Sequence, residues 1–253
     1  MRSLSYNHLG AEGAAALAPA LAANGSLTSL DLSNNELCGM ANYGGGTYTA
    51  EGITAIADAL RVNGSLTVTN LLKNQLDAES AKMLAEVAKQ KGISLCGIQR
   101  DQTAADFSDK NLQPPDAILL ASDLSQAIVT GGLTALDLSF NSLEDEGIRA
   151  VCKAIQSKKE TKLASLHFQG NGIGPVGANA LAAMVAVTGS LTALDLSYNN
   201  LKDEGVSAVC EAIQSNKETK LSSLNFGYNG IGPVGANAVA AMVAATGALT
   251  KIE

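Results

Sequence analysis

Residues 191–201 read LTALDLSYNNL, and the spacing of Leu191, Leu194, Leu196, Asn199 and Leu201 recurs from one end of the 253-residue chain to the other. Leu194 and Leu196 alternate with Ala193, Asp195 and Ser197. Successive strand residues point to opposite faces, so the leucines are expected to enter a core and the others to face outward. Asn199 then turns the chain. Its amide is both donor and acceptor, so stacked copies can satisfy the backbone groups of neighbouring turns where water does not reach.

The pattern LxxLxLxxNxL resembles the leucine-rich repeat, whose units of about 20 to 29 residues stack into a horseshoe. The resemblance implies an α/β solenoid with a parallel β-sheet on the concave face and α-helices on the convex face. Helices are about 10 Å wide and strands about 4.8 Å apart, and the mismatch bends such a stack. Residues 1–253 are expected to form a single solenoid, because a repeat core is a ribbon and escapes the usual length limit on a domain. Its sub-blocks are irregular repeats over 1–92 with a loop insertion at 38–50, an irregular junction over 93–132, and regular paired repeats over 133–253.

The chain opens inside a copy, at Leu4, Asn7 and Leu9. Leu27, Leu30, Leu32, Asn35 and Leu37 form a clean one. The insertion that follows carries Tyr43 and Tyr48 and is read as a contact loop. Its glycines Gly44 to Gly46 lack the Lys and Ser/Thr that follow in a phosphate-binding loop. A third copy, Leu66 to Leu76, is weakened by Thr69. Ser94 to Leu112 is read as hairpin-like, and Pro114 and Pro115 suit a helix start.

From Leu133 the pattern is strict. Residues 133–190 and 191–248 align without a gap, about three quarters of positions are identical, and repeats of roughly 30 and 28 residues alternate. This alternation, with the helices DEGxxAVCxAI and GANAxAAM, resembles the ribonuclease-inhibitor-like subfamily seen in NOD-like receptors and in the activating protein of the Ran GTPase. Between the two copies Glu144/Lys202 and Lys153/Glu211 reverse charge, which solvated faces tolerate.

A net charge of -7 argues against nucleic acid or an anionic membrane as partner, since both demand a basic face. No apolar run approaches the roughly 18 residues of a membrane helix, and MRSLSYNHLG has no apolar leader core. Cys152 and Cys210 occupy matching places two repeats apart, Cys96 takes a leucine position and Cys38 opens a loop. Four reduced thiols, and hence a cytoplasmic, intracellular location, are expected. The family resemblance points to a eukaryotic source.

Gly172, Gly174, Gly177 and Gly230, Gly232, Gly235 match GxGxxG, but Asn171 and Ile173 of the repeat stand in the supposed phosphate turn. Asn24 and Asn63 match glycosylation sequons and are read as helix-stop residues. Stacking places equivalent positions side by side. The column after the second strand leucine reads Asp31, Asn70, Asp137, His167, Asp195, Asn225 and Glu253. His167 between two aspartates should be biased toward its charged form. The column before the motif asparagine reads Tyr6, Asn34, Lys73, Phe140, Gly170, Tyr198 and Tyr228. Its aromatics are either interface anchors or packing over the turn. No activated nucleophile and no second histidine stands beside His167, so no catalytic residue, metal or cofactor is expected. The leading expectation is a non-catalytic protein-protein interaction module. Its partner side on the concave face comprises Asp137, His167, Asp195, Asn225, Phe140, Tyr198 and Tyr228, and Tyr43 and Tyr48 add a loop contact. Two alternatives stand beside it: a scaffold subunit docked or self-associated through exposed solenoid ends, and a regulator of a small GTPase.

Overall fold

A computed structural model of the chain describes residues 2–40, 45–126, 132–158 and 161–253. Strands and helices alternate throughout: β1 (Arg2–Ser3), α1 (Gly10–Ala23), β2 (Ser29–Asp31), α2 (Glu51–Val62), β3 (Val68–Asn70), α3 (Ala78–Lys91), β4 (Ala104–Asp106) and α4 (Pro114–Ser125) come first. They are followed by β5 (Ala135–Asp137), α5 (Glu144–Gln156), β6 (Ser165–His167), α6 (Pro175–Val185), β7 (Ala193–Asp195), α7 (Lys202–Ser215), β8 (Ser223–Asn225), α8 (Pro233–Ala245) and β9 (Lys251–Ile252). The chain packs as two compact units, residues 1–100 with 118–129, and residues 101–117 with 130–253. The first holds the sheet β1-β2-β3 and the second the sheet β4-β5-β6-β7-β8-β9, and every strand pair is parallel. Each is a repeat stack of the expected α/β solenoid kind.

The strand leucines set the register. Leu136, Leu166, Leu194 and Leu224 pair side by side and are all buried, as are Leu138, Phe168, Leu196 and Phe226 one pleat further on. Helices close the other side of this core with Ile148, Val151, Leu181, Val206 and Val209. Glu144, Lys202, Lys153 and Glu211, the charge-reversed positions, are exposed.

The motif asparagines form the anticipated ladder. Asn199 donates to the carbonyls of Leu196 and Phe168, both at 3.0 Å, so it closes its own turn and bonds to the preceding one. Its Oδ1 accepts from the backbone N–H of Asn171 at 2.9 Å and of Ile173 at 3.0 Å. Asn74 and Asn229 donate in the same way. Each amide thus satisfies groups that the short strands leave orphaned.

Two kinds of glycine set the repeat spacing. A Cβ on Gly205 would lie 2.8 Å from the Ala178 side chain, and one on Gly52 only 2.6 Å from the Ala11 Cα, so helices in successive repeats approach to backbone distance. In α6 and α8 the glycines face an acid. Asp145 accepts from the Gly174 N–H at 2.7 Å and Asp203 from the Gly232 N–H at 2.6 Å. A Cβ on Gly177 or Gly235 would come within 2.6 or 2.7 Å of those carboxylates.

The segments at 94–96 and 104–106 do not form a hairpin. Ser94 and Leu95 accept from Thr69 and Leu71 in the first unit, whereas β4 lies parallel to β5 in the second. A side chain explains the break. The buried Asp123 carboxylate accepts from the Leu95 N–H at 2.7 Å, the Cys96 N–H at 3.0 Å and the Ser94 hydroxyl at 2.7 Å, so donors that would otherwise meet a further strand are taken. Burial pushes the Asp123 carboxyl up to about 6, against the lowering effect of those three bonds.

Candidate functional site

The outward row on the second sheet runs Asp106, Asp137, His167, Asp195 and Asn225, each beside the next in strand register. Asn225 reaches both ways, donating to Asp195 at 3.4 Å and to Glu253 at 3.2 Å. These residues also build the turns. Oδ1 of Asp137 accepts from the Ser139 N–H at 2.8 Å, Asp195 from Ser197 at 2.9 Å, and Asn225 from Gly227 at 2.8 Å. In the first unit Asp31 and Asn70 make the same bond to the residue two places on. An Asx turn therefore ends nearly every strand.

His167 is the exception in this row. Its Nε2 hydrogen-bonds the Ser165 hydroxyl on its own strand at 2.9 Å rather than either flanking aspartate. Asp106 was legible as part of a strand-like segment yet not placed in the row, because Ala105 and Phe107 stand where the leucines would. It lies beside Asp137, so two acids meet on neighbouring strands. The Ser108 hydroxyl and N–H hold its carboxyl below the usual value, with help from Lys110.

The second row lies one turn further along. Tyr6, Asn34, Lys73, Phe140, Gly170, Tyr198 and Tyr228 all have positive φ, between 54° and 63°. The left-handed backbone is thus a property of the position, and Gly170 is the residue that adopts it without strain. A large side chain here projects from the strand end. Tyr198 and Tyr228 stack with ring centroids 4.3 Å apart and planes at 19°. The Phe140 ring lies over Gly170, where a Cβ would come within 2.8 Å of it. Phe140 and Tyr198 each pack on the next turn and Tyr228 on the one before, yet all three rings stay open to solvent, Phe140 at 52 %, Tyr198 at 50 % and Tyr228 at 76 %. In the first unit the Lys73 ammonium sits 5.5 Å from the centre of the Tyr6 ring.

Tyr48 folds back, its hydroxyl 2.8 Å from the Ser80 hydroxyl near the start of α3. Burial, with Asp77 and Cys38, raises its phenol above its ordinary value against the lowering effect of the Ser80 bond. Tyr43 lies outside the described residues. Gly39 and Gly46 serve backbone contact, since a Cβ on Gly46 would stand 2.1 Å from the Gly39 carbonyl.

The GxGxxG turns are already filled, because the Asp145 and Asp203 carboxylates occupy the concavity a phosphate would need. Neither acid had a signal of its own in the sequence, since each reads as part of an ordinary helix start. Asn63 is buried, accepts from Ser65 and Leu66 and donates to Leu21 and Asn24, so it stops a helix as expected. The four thiols are buried, and burial pushes Cys38 to about 11 and Cys210 to about 12. Among the described residues no cluster of three His, Cys, Asp or Glu is arranged for a metal, and no helix is long and apolar enough to cross a membrane.

Family models described as leucine-rich repeat match residues 3–18, 26–43, 133–152, 159–182, 190–210 and 217–240. The human NACHT, LRR and PYD domains-containing protein 13 is 36 % identical over 95 residues, 37 % of this chain and 9 % of that protein. RAN GTPase-activating protein 2 of Arabidopsis thaliana is 36 % identical over 105 residues, 42 % of this chain and 19 % of that protein. The chain spans less than a fifth of the length of these relatives. The solved structure of an internalin from Listeria monocytogenes aligns over 94 % of this chain and 63 % of its own, at 16 % identity and a TM-score of 0.37.

Proposed function

The chain is a leucine-rich-repeat protein of the ribonuclease-inhibitor-like kind, and on that premise we propose that it acts as a non-catalytic module holding a protein partner on the concave sheet face that carries Asp137, His167, Asp195, Asn225, Phe140, Tyr198 and Tyr228. Chains of this repeat architecture are generally interaction modules. The observation that carries the reading is the aromatic row. Exposed rings on a left-handed backbone are costly to keep, and the same position accepts Gly, Asn or Lys elsewhere in the chain. Rigid aromatic area beside a polar row is the composition of an interface anchor.

Replacing Tyr198 and Tyr228 together by Ala should weaken binding of an identified partner by several kcal/mol, about 2 or more for each anchor. Affinity capture with the intact chain and with the double variant, read by mass spectrometry, tests this. A protein retained by both to the same extent sinks the proposal.

A narrower version, regulation of a small GTPase, draws on the stretch shared with the plant RAN GTPase-activating protein 2. Turnover of candidate GTPases with and without the chain decides that.

A further inference from the structure

We infer that the partner segment held on the second unit's sheet face is cationic, an extended stretch bearing several arginines or lysines, one charge lying against the Tyr198–Tyr228 stack and another beside the Asp106–Asp137 pair on the strands β4 and β5 of the same sheet. The inference rests on the interaction reading above and names the chemistry of what is bound.

Three independent features agree. First, the chain carries its own version of the contact. In the first unit the same left-handed row runs Tyr6, Asn34, Lys73, and the Lys73 ammonium lies 5.5 Å from the Tyr6 ring centre. The row in the second unit has the rings but no basic residue, since it reads Asp109, Phe140, Gly170, Tyr198, Tyr228. A cation over a tyrosine face is attracted by the ring quadrupole, and the 76 % exposure of Tyr228 leaves such a face open.

Second, the adjacent row is acidic where it could be neutral. Asn70 and Asn225 show that Asn makes the strand-end turn as Asp does. Asp106 and Asp137 nevertheless stand side by side, and each commits Oδ1 to its turn. Like charges on neighbouring strands repel, and a cation between them relieves that cost. Third, the positions two residues before Asp106, Asp137, His167 and Asp195 are Ala104, Ala135, Ser165 and Ala193, so the floor beside the acids is low enough for an extended backbone to approach.

Isothermal titration of the whole chain with an alternating arginine–glycine peptide tests the proposal, with glutamate–glycine and serine–glycine peptides as comparisons. The basic peptide should bind and the others should not. Tyr198→Ala with Tyr228→Ala, and separately Asp106→Asn with Asp137→Asn, should each weaken it about tenfold, while Tyr→Phe at both rings should leave it unchanged. The Asn variants keep the turns, so loss of fold does not confuse the result. No binding of the basic peptide overturns the proposal, as does binding that survives both pairs, which would be diffuse attraction to a chain of net charge -7. A serine–glycine peptide or captured protein that depends on the tyrosines but is indifferent to the Asn variants would leave the interaction face standing and remove the cationic partner. Capture independent of the tyrosines would remove the face itself.

Discussion

Tyr198 and Tyr228 stack at 4.3 Å from backbones held at φ 54° and 55°, so the strain of one repeat's turn is coupled to that of the next through their rings. Two left-handed residues with side chains cost about 2 to 4 kcal/mol together, while the aromatic pair returns about 0.5 to 1.5 kcal/mol and avoiding two glycines saves about 1 to 2 kcal/mol of chain entropy.

Because these terms nearly cancel, Tyr198→Gly with Tyr228→Gly should unfold within about 1 kcal/mol of the parent, even as partner binding is lost. Urea unfolding of both proteins measures it. A loss of several kcal/mol would mean that the rings hold the fold rather than a partner.

Asn199 and Asn200 are neighbours in sequence with unequal duties. Asn199→Ala leaves the N–H groups of Asn171 and Ile173 and the carbonyls of Leu196 and Phe168 short of a partner, at a cost of about 2 to 4 kcal/mol. Asn200 is exposed, and its replacement by Ala should cost less than about 0.5 kcal/mol. Equal midpoints in chemical unfolding would contradict the ladder.

Gly177→Ala places a methyl 2.6 Å from Asp145 Oδ1 and 2.8 Å from the Ile173 side chain, whereas at Gly25 nothing lies within 4 Å. The first change should cost about 1 to 3 kcal/mol by overpacking and the second should be close to neutral. Thermal melts of the two variants, run side by side, show whether the separation exists.

Asp123 gives a pH dependence of unusual sign. Its folded value, about 6, is above the ordinary 3.8, so the folded state holds the proton more tightly. Its contribution is therefore fully present below about pH 4 and is lost as pH rises to about 6, a swing of roughly 3 kcal/mol. Asp77 and Asp106, whose values are lowered, act in the opposite direction, so the parent must be compared with Asp123→Asn. The difference in unfolding free energy between them should change across pH 4 to 6, and a constant difference would remove Asp123 as its source.

What sequence made legible was whatever repeats. Leu194, Leu196 and Asn199 announce a core and a turn because their spacing returns, and strand register then placed Asp137, His167, Asp195 and Asn225 in one row. Single-copy features were hidden. Asp123 ends a sheet from within a helix, and only the fold brings it to Ser94 and Leu95. The turn geometry was hidden for another reason. Left-handed backbone is normally announced by Gly or Asn, and here Tyr, Phe and Lys adopt it. The role given to His167 followed from its neighbours in the row, but its bond is to Ser165, two residues away on the same strand.

The Asx turns carry one more consequence. Since one oxygen of every row residue but His167 is tied to the residue two places on, the side chain there is restricted in shape to Asp or Asn at nearly every repeat, while the outward atom is free to be an acid or an amide. The row therefore behaves like a punched tape, with one binary mark per repeat. Mutation can rewrite the message a strand-like ligand reads without altering the tape on which it is written.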